Sequence, residues 1–500
     1  MNYKMLRYIM GQLMLAECAL MLLPLTVSLI YGETAKLHAF LIPMGALLVL
    51  GLLFSIKKPQ NKTLRPRDGF IVVGLSWVVM SAFGCLPYIL SGLIPNFIDA
   101  YFETVSGFTT TGSSVLFASD FVGLWSPESA AVGLRGVFFW RSFTNWVGGM
   151  GVLVFVLAVM PQQDMKSSRL VHVMRAEMPG PKVDKIVATV RKTSAIMYAI
   201  YTVMTLASVI MLMFGGMDLY ESLCVSFSTA GTGGFSIWPD NMMTYGGVAH
   251  PEYCTWVIAV FMFLFSINFN LYFLILTGKV AAAVFSEELR WFTGIVLVAT
   301  ALVTANIYHI YGNFSDSVRE AFFQVSTIIS TSGFATTDFN LWPSLAKTVL
   351  LIVMFIGACA GSTGGGIKVS RLIIAIKGTW AEIRRMVRPR EIKKVFFEKK
   401  AVDVDTVQGT FAYMVAYCFI FFASFLLITI FDGQDIETSF SSVATCINNI
   451  GPGLGEAGPM SNFAFYSPWS TIVLTLDMLL GRLEIFPMLL LFSPSSWLEK

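Results

Sequence analysis

The chain has 500 residues, of which 55% are hydrophobic and only 13% are charged, and its mean hydropathy is +0.70. Soluble proteins carry about 25% charged residues, so this composition excludes a soluble globular protein, a disordered chain and a small disulfide-bonded scaffold. The net charge is +3. The sequence therefore predicts an all-α polytopic membrane protein.

Ten apolar runs predict ten membrane-spanning helices, because about 20 apolar residues cross a bilayer as a helix. The runs lie near 9–31, 38–56, 70–93, 134–160, 194–215, 254–278, 291–311, 345–376, 409–431 and 469–492. The first run is too long for the core of a signal peptide, so we expect it to remain part of the protein. An even number of spans places both termini on one side of the membrane.

The basic residues predict which side that is. Of the 34 Lys and Arg, 28 lie in the termini or in loops on the side of the termini, five lie on the opposite face, and Arg482 lies within a span. This bias predicts cytoplasmic termini in a multi-pass protein of the cytoplasmic (inner) membrane. The outer loops are acidic, which either concentrates cations at that face or simply follows from the positive-inside bias.

The seven cysteines and four histidines are scattered along the chain. Most of the cysteines lie in apolar runs, so we interpret them as small buried side chains and not as a disulfide framework or a metal site. We expect no resident metal centre and no covalently bound cofactor.

Four predicted outer loops contain a short amphipathic stretch that ends in small or polar residues and a glycine. Aligned without gaps, the stretches are FETVSGFTTTG at 102–112, ESLCVSFSTAG at 221–231, FQVSTIISTSG at 323–333 and SSVATCINNIG at 441–451. Each lies between two predicted spans, which indicates four repeated units of helix, pore loop and helix after two extra N-terminal helices. Units of one orientation predict a pseudo-fourfold axis along the membrane normal.

Such a loop enters and leaves the membrane on the outer side. Non-helical backbone at membrane depth must be buried or line a watery cavity, so four loops predict a pore. The partly negative C-terminal ends of four short helices would face its axis, and glycines would let backbone carbonyls turn inward as in cation filters. The alternative is that each tip is simply a helix C-cap.

The eighth predicted span contains a glycine-rich interruption. Residues 344–377 would form a helix of about 51 Å, which is longer than the roughly 30 Å membrane core. The middle of this segment, GACAGSTGGG at 357–366, has five glycines in ten residues and is predicted to be non-helical. It either lines the cavity or allows close helix packing. A phosphate-binding loop is excluded, because Ile367 precedes Lys368 and no strand comes before it.

Arg482 is the only basic residue predicted deep within a span, where insertion costs about 2.5–3.5 kcal/mol. Such a residue is expected to face the protein interior and to have a function. The alternative is a structural ion pair with Asp477 or Glu484, although the spacing of both is poor for a pair on one helix.

These segments together resemble the Trk/Ktr superfamily of potassium transporters, most closely its TrkH/TrkG membrane subunits, which have two extra N-terminal helices. The resemblance is carried by SGFTTTG at 106–112, STAGTGGF at 228–235, STSGF at 330–334, FWRSFTNWVGGMG at 139–151, GACAGSTGGG at 357–366 and GRLE at 481–484. It extends from the first span to the C-terminus.

The resemblance implies potassium uptake through a gated, channel-like pore, with K⁺ as the transported ion and no enzymatic activity. It places the potassium-binding carbonyls of a selectivity filter on Thr111, Gly112, Ala230, Gly231, Ser332, Gly333, Ile450 and Gly451. It assigns gating to Arg482, as an electrostatic barrier, and to an intramembrane loop under the filter formed by Cys359, Ala360, Gly361, Ser362, Thr363, Gly364 and Gly365. The fourth loop differs most from the others, so we expect imperfect fourfold symmetry.

The resemblance also implies a cytosolic, TrkA-like regulatory subunit that binds NAD or ATP, and a homodimer with one pore in each chain. The basic inner loops at 161–192 and 366–400 would contact that subunit, anionic lipid of the bilayer or solvent, and we expect no nucleic-acid partner. Two alternatives stay open: a proton- or sodium-coupled potassium symporter, and a membrane-embedded transferase. The predicted units are 1–66 for the two N-terminal helices, then 67–180, 181–287, 288–400 and 401–500 for the four pore units.

Overall fold

The computed structural model describes residues 2–59, 66–125, 133–151, 190–388 and 394–497. The last third of the span predicted at 134–160, most of the basic loop at 161–192 and the unit boundary predicted at 180 lie outside these residues. Within them the chain forms 22 α-helices and one two-stranded antiparallel sheet.

The N-terminal part and the first predicted pore unit contain eight helices. They are α1 (Tyr3–Leu20), α2 (Leu22–Ile30), α3 (His38–Ser55), α4 (Pro66–Gly84), α5 (Leu86–Ser91), α6 (Phe97–Phe108), α7 (Ala118–Trp125) and α8 (Arg135–Gly149). The second unit has α9 (Val190–Phe214), α10 (Leu219–Gly231), α11 (Pro251–Phe265), α12 (Phe269–Leu276) and α13 (Val280–Val284).

The third unit has α14 (Glu287–Tyr311), α15 (Phe314–Ile329), α16 (Ser344–Ile356) and α17 (Val369–Val387), followed by strands β1 (Phe396–Phe397) and β2 (Lys400–Ala401). The fourth has α18 (Val404–Asp432), α19 (Ile436–Asn448), α20 (Pro468–Arg482), α21 (Phe486–Phe492) and α22 (Pro494–Trp497).

Helices α1 and α3 pack tightly through small residues. A Cβ added to Gly11 would lie 2.9 Å from the Gly51 carbonyl oxygen, and one added to Gly51 would lie 3.1 Å from the Gly11 carbonyl oxygen. Because small residues let helix backbones approach closely inside a membrane, this pair forms a compact N-terminal unit beside the rest of the protein.

Six helical segments in the described residues are long and apolar enough to cross a membrane, and a seventh follows if α11 and α12, bent by 91°, count as one. The six are Tyr3–Ile30, Thr34–Ser55, Arg67–Ser91, Ser194–Phe214, Glu287–Tyr311 and Val404–Asp432. The protein is therefore a mostly helical, multi-pass membrane protein. The count of ten spans stays a prediction.

Three predicted spans are interrupted in the structure, and one of them is the span predicted at 254–278, where α11 and α12 meet at the 91° bend. Helix α16 ends at Ile356 and α17 begins at Val369, so the glycine-rich segment at 357–366 is non-helical, as its composition indicates. The continuous helix predicted at 469–492 is wrong. Ile485 has φ 67° and ψ −62°, and the Phe486 amide donates to the Glu484 carbonyl at 2.7 Å, which is a strained γ-turn that separates α20 from α21.

Helices α6, α10, α15 and α19 occupy the core. Each begins after an Asn or Asp whose side chain accepts a hydrogen bond from an amide of the first turn, and these N-caps are Asn96, Asp218, Asn313 and Asp435. The first residue of each helix is apolar and exposed, whereas many of the later apolar side chains are fully buried, among them Phe102, Val105, Val225, Val325 and Val443. The amphipathic stretches recognised in the sequence are thus short, capped helices in the interior.

Candidate functional site

The four core helices end in one repeated backbone geometry. The first or second residue after each helix end has a positive φ: 57° at Thr110, 55° at Thr232, 61° at Thr331 and 56° at Asn449. The amide of the following residue donates to the carbonyl five positions earlier, at 2.8, 2.9, 2.8 and 2.9 Å for Thr111, Gly233, Ser332 and Ile450. This is the Schellman form of helix C-cap. The C-cap interpretation therefore holds at all four tips, and it is compatible with a pore lining.

This geometry corrects the alignment of the second loop. Ala230 and Gly231, the positions assigned from the gap-free alignment, lie in the last turn of α10. The residues equivalent to Thr111 and Gly112 are Gly233 and Gly234, three positions later. A Cβ added to Gly231 would lie 2.2 Å from the Asn145 carbonyl oxygen, so this glycine allows α10 to pack closely on α8.

The four tips close into a ring. We call Gly112, Gly234, Gly333 and Gly451 the apical glycines, and each has a positive φ. A Cβ added to each would collide with a backbone oxygen of the next loop: 2.4 Å from Gly233 O for Gly112, 1.8 Å from Ser332 O for Gly234, 2.1 Å from Ile450 O for Gly333 and 2.8 Å from Thr111 O for Gly451. The sequence of contacts runs through loops 1, 2, 3 and 4 and returns to loop 1. Backbone carbonyls from all four loops therefore surround one point.

A cavity of about 110 Å³ adjoins the ring on one side. All four apical glycines line it, together with Ser113, Arg141, Ser236 and the segment 458–463. The ring is therefore accessible from a pocket with polar walls. The C-terminal ends of the four helices add partial negative charge, which favours a cation at this place.

Arg482 lies on the other face of the ring, at the end of α20. Its guanidinium donates to the carbonyl oxygens of Gly148 and Gly149, at 2.5 and 2.7 Å, and to the Thr363 carbonyl oxygen at 2.8 Å. It also donates to the hydroxyl of Thr110 at 3.2 Å. The buried guanidinium of Arg482 thus connects the end of α8, the glycine-rich segment and the first loop of the ring.

The two carboxylates considered as partners of Arg482 are used elsewhere. Glu484 forms a two-bond ion pair with Arg371 of α17, at 3.1 and 2.5 Å, and Asp477 accepts a hydrogen bond from Ser424 at 2.7 Å. The hydrogen-bond acceptors that the structure gives Arg482 include backbone carbonyls of three residues and one hydroxyl.

The predicted loop residues 359–365 are anchored on several elements. The Cys359 amide donates to Ser266 O at 3.1 Å, Ala360 N to Glu288 Oε1 at 2.7 Å, and the Phe269 amide to Gly361 O at 3.0 Å. The Ser362 hydroxyl donates to Cys359 O, the Thr363 hydroxyl to Phe265 O, and Lys368 Nζ to Gly364 O. Hydrogen bonds to several other parts of the protein therefore hold this non-helical segment in place, as buried irregular backbone requires.

This segment also contacts the ring directly. The Gly365 amide donates to the hydroxyl of Thr331 at 2.6 Å, and the Gly366 amide donates to the Asn448 carbonyl oxygen at 3.1 Å. Thr331 and Asn448 precede the apical glycines of the third and fourth loops. The segment and Arg482 thus occupy the face of the ring opposite to the cavity.

Several residues of the site were missed in the sequence. Gly233 and Gly234 could have been found, because Gly234–Phe235 matches Gly333–Phe334 when the two loops are aligned on their Gly-Phe pairs. Thr331 and Glu288 carry no local signal, because their roles depend on contacts with a segment distant in the sequence. Lys368, with φ 81° and a buried side chain, also gave no signal.

One prediction concerns the contact between the ring and the segment. Thr331→Val keeps the β-branched shape but removes the acceptor of the Gly365 amide, and a buried unpaired donor costs about 1–3 kcal/mol. We expect cation leak through the chain alone, measured as rubidium uptake into proteoliposomes, to rise several-fold. The control is Thr348→Val, since the Thr348 hydroxyl lies on the exposed side of α16 and donates to Ser344 O. Equal leak in both variants would contradict the prediction.

Comparison with known proteins places these features in a family. The family model of TrkH, described as a cation transport protein, matches residues 38–500. The chain is 34% identical to the Trk system potassium uptake protein TrkH of Salmonella typhimurium over the full length of both proteins. It is 32% identical to the Trk system potassium uptake protein TrkG of Escherichia coli, over 95% of each.

A solved structure shows the same fold. The crystal structure of the potassium transporter TrkH from Vibrio parahaemolyticus superposes with a TM-score of 0.85 at 30% sequence identity, covering 99% of this chain and 100% of the other. Among the described residues, no group of three or more His, Cys, Asp or Glu side chains is arranged to hold a metal ion.

Proposed function

Because the chain belongs to the TrkH family of cation transport proteins, we propose that it takes up K⁺ across the cytoplasmic membrane through a gated, channel-like pore. The resemblance noted in the sequence is thereby confirmed at the level of the family. The selectivity filter in this proposal is the ring of the apical glycines and the residues before them: Thr111, Gly112, Gly233, Gly234, Ser332, Gly333, Ile450 and Gly451.

One observation carries the proposal: the closed sequence of glycine-to-carbonyl contacts around the four loops. Rings of backbone carbonyls can replace the hydration shell of a cation, and a ring that excludes even a methyl group between loops holds its oxygens close together. The Schellman caps also fix the orientation of the loop backbone, because the residue two positions before each apical glycine is held in the left-handed region at all four tips.

Gating in this proposal combines Arg482 with the segment 359–365. A cation leaving the ring on this face meets the positive charge of Arg482 and backbone that is bonded to Thr331 and Asn448. Conduction would require the segment to withdraw. Arg482 would move with it, because its guanidinium donates to the Thr363 carbonyl oxygen.

Regulation from the cytosol is supported by a chain of contacts that leads to this segment. In the turn between β1 and β2, the Glu398 carboxylate accepts hydrogen bonds from the Ser286 hydroxyl and the Glu288 amide, at 2.6 and 3.0 Å. The Glu288 carboxylate in turn accepts from the Ala360 amide at 2.7 Å. A cytosolic TrkA-like, nucleotide-binding subunit that displaced the hairpin would alter this contact.

The remaining features of the proposal follow from the family and from the charge distribution. The chain would form a homodimer with separate pores, both termini would be cytoplasmic, and the four pore units would have the boundaries given above. Potassium uptake is the activity named for the relatives, and the family is one of transporters, so the transferase alternative has no support among them.

The test is radiolabelled rubidium uptake into proteoliposomes that contain the purified chain, with K⁺, Na⁺ or Li⁺ as competitors. Uptake that K⁺ displaces and Na⁺ displaces poorly is expected. If uptake stays at the level of empty liposomes both for the chain and for the variant without Arg482 described below, the pore proposal fails. An imposed proton or sodium gradient distinguishes the symporter, because only coupled transport would move rubidium against its own electrochemical gradient.

A further inference from the structure

A buried ion pair lies directly behind the ring, between the first and second loops. Arg141 of α8 donates through Nε to a carboxylate oxygen of Glu103 at 2.6 Å, and the two side chains are only 3% and 0% exposed. Glu103 belongs to α6, nine residues before the apical Gly112. The bare cost of burying two charges is high, so a pair in this position needs further partners to be stable.

Both members of the pair have such partners, and these partners lie in the segments that directly follow the apical glycines of two different loops. The Glu103 carboxylate also accepts hydrogen bonds from the Ser114 hydroxyl at 3.0 Å and the Val115 amide at 2.9 Å. Arg141 donates through Nη1 to the Ser236 carbonyl oxygen at 2.8 Å, and its guanidinium lies 3.6 Å from the centre of the Phe235 ring. The backbone just after Gly112 is thus fixed to the backbone just after Gly234.

The equivalent positions in the other units carry no charge. Nine residues before the other apical glycines lie Val225, Gln324 and Ser442. Gln324 donates to the Thr336 hydroxyl at 3.3 Å, and Ser442 accepts a hydrogen bond from the Tyr466 hydroxyl at 2.9 Å. Of these four equivalent positions, the first alone carries a charged residue, and it lies at the contact between loops 1 and 2, where a Cβ added to Gly112 would be 2.4 Å from Gly233 O.

Arg141 also lines the cavity outside the ring. The carboxylate of Glu103 neutralises a guanidinium that would otherwise present a positive charge to a cation entering the ring. The pair therefore has two separable effects: it holds the spacing of two filter loops, and it removes a repulsive charge from the entrance.

We propose that Glu103 and Arg141 are positioning residues that set the cation discrimination of the ring. The inference rests on the proposed function. The size of the cavity between the carbonyls and the number of carbonyls are the features to which discrimination between K⁺ and Na⁺ is attributed. Loss of this ion pair and of its hydrogen bonds to loops 1 and 2 lets the two loops move apart or together. The ring then accepts ions of other sizes more easily.

The experiment is rubidium uptake by the full chain in proteoliposomes, with competition curves for K⁺ and Na⁺. Arg141→Lys keeps the charge but loses the donation to Ser236 and the planar stacking on Phe235. Glu103→Gln keeps the shape but leaves the Arg141 charge unpaired. We expect Na⁺ to compete several-fold better in both variants, and total flux to fall further in Glu103→Gln.

The double variant Glu103→Gln/Arg141→Gln separates the two effects, because it removes the unpaired charge without restoring the ion pair that links loops 1 and 2. We expect its flux to recover relative to Glu103→Gln while Na⁺ competition stays high. Arg385→Lys is the control, since Arg385 is exposed and pairs with the exposed Glu382 of its own helix, α17. Its competition curves should equal those of the unsubstituted chain.

Ser114→Ala keeps the proposal testable if the charge variants fail to fold, because it removes one hydrogen bond to Glu103 and leaves the ion pair intact. We expect the same direction of change with a smaller size. Unchanged Na⁺ competition in Ser114→Ala and in every variant that folds overturns the inference. If neither the unsubstituted chain nor the Arg482→Ala variant transports rubidium, the proposed function is overturned instead.

Discussion

Replacement of Gly234 by alanine is expected to abolish rubidium uptake almost completely. A Cβ at this position would lie 1.8 Å from the Ser332 carbonyl oxygen, so loops 2 and 3 cannot keep their contact. The backbone φ of 62° adds about 1–2 kcal/mol of strain for a residue with a side chain. The carbonyl ring would open on one side, and the measurement is rubidium uptake into proteoliposomes at matched protein content.

The chain offers a matched control for the backbone strain. Gly312 has a φ of 64°, nearly that of Gly234, but a Cβ added there would meet no atom within 4 Å. Gly312→Ala should therefore transport at the rate of the unsubstituted chain, and both variants should elute as folded protein in size-exclusion chromatography. If Gly234→Ala transports normally and selectively, the ring is not the filter.

Removal of the Arg482 side chain is expected to have the opposite effect. A cation about 4 Å from a unit positive charge is destabilised by about 4 kcal/mol at an effective permittivity of 20, and 1.4 kcal/mol corresponds to about tenfold. Arg482→Ala removes this repulsion and also the hydrogen bond that holds Thr363. We expect rubidium uptake by the chain alone to rise by about tenfold or more, with K⁺ still a better competitor than Na⁺.

Two further variants separate the charge from the contact. Arg482→Lys keeps a positive charge but cannot reproduce the planar set of donors, so we expect a smaller rise. Shortening the 359–365 segment removes the obstruction while Arg482 stays in place. Arg385→Ala is the control, because Arg385 is exposed at the end of α17 and pairs with Glu382 of its own helix. Unchanged uptake in folded Arg482→Ala would argue against the barrier.

The largest error in the prediction from sequence was the alignment of the second loop, because two different glycines lie near its tip. Both Gly231 and Gly234 are glycines for a physical reason, but the reasons differ. Gly231 allows α10 to approach Asn145 of α8, whereas Gly234 allows loop 2 to approach loop 3. A gap-free comparison of loop tips cannot distinguish helix packing from a left-handed turn. Helix α10 includes Gly231, so the apical glycine of loop 2 lies three residues after the position that the alignment gave it.

The partners of Arg482 show the same limit. The sequence predicts correctly that an arginine deep in an apolar segment lies in the interior, because insertion of an unsatisfied charge is costly. It offers Asp477 and Glu484 as acceptors because they are near in the chain. The actual acceptors include Gly148 and Thr363, which are more than 100 positions away.

The sequence by itself determined the class of the protein, the four short core helices, the non-helical segment at 357–366 and the interior position of Arg482. These follow from hydropathy, glycine content and the cost of burying charge, which are local properties of a chain in a membrane. Only the tertiary structure decided that Gly233 and Gly234 complete the ring, that Glu484 pairs with Arg371, and that Glu103 and Arg141 join two loops. Those contacts join residues distant in the chain, and the choice among them depends on which backbones pack closely enough to bond.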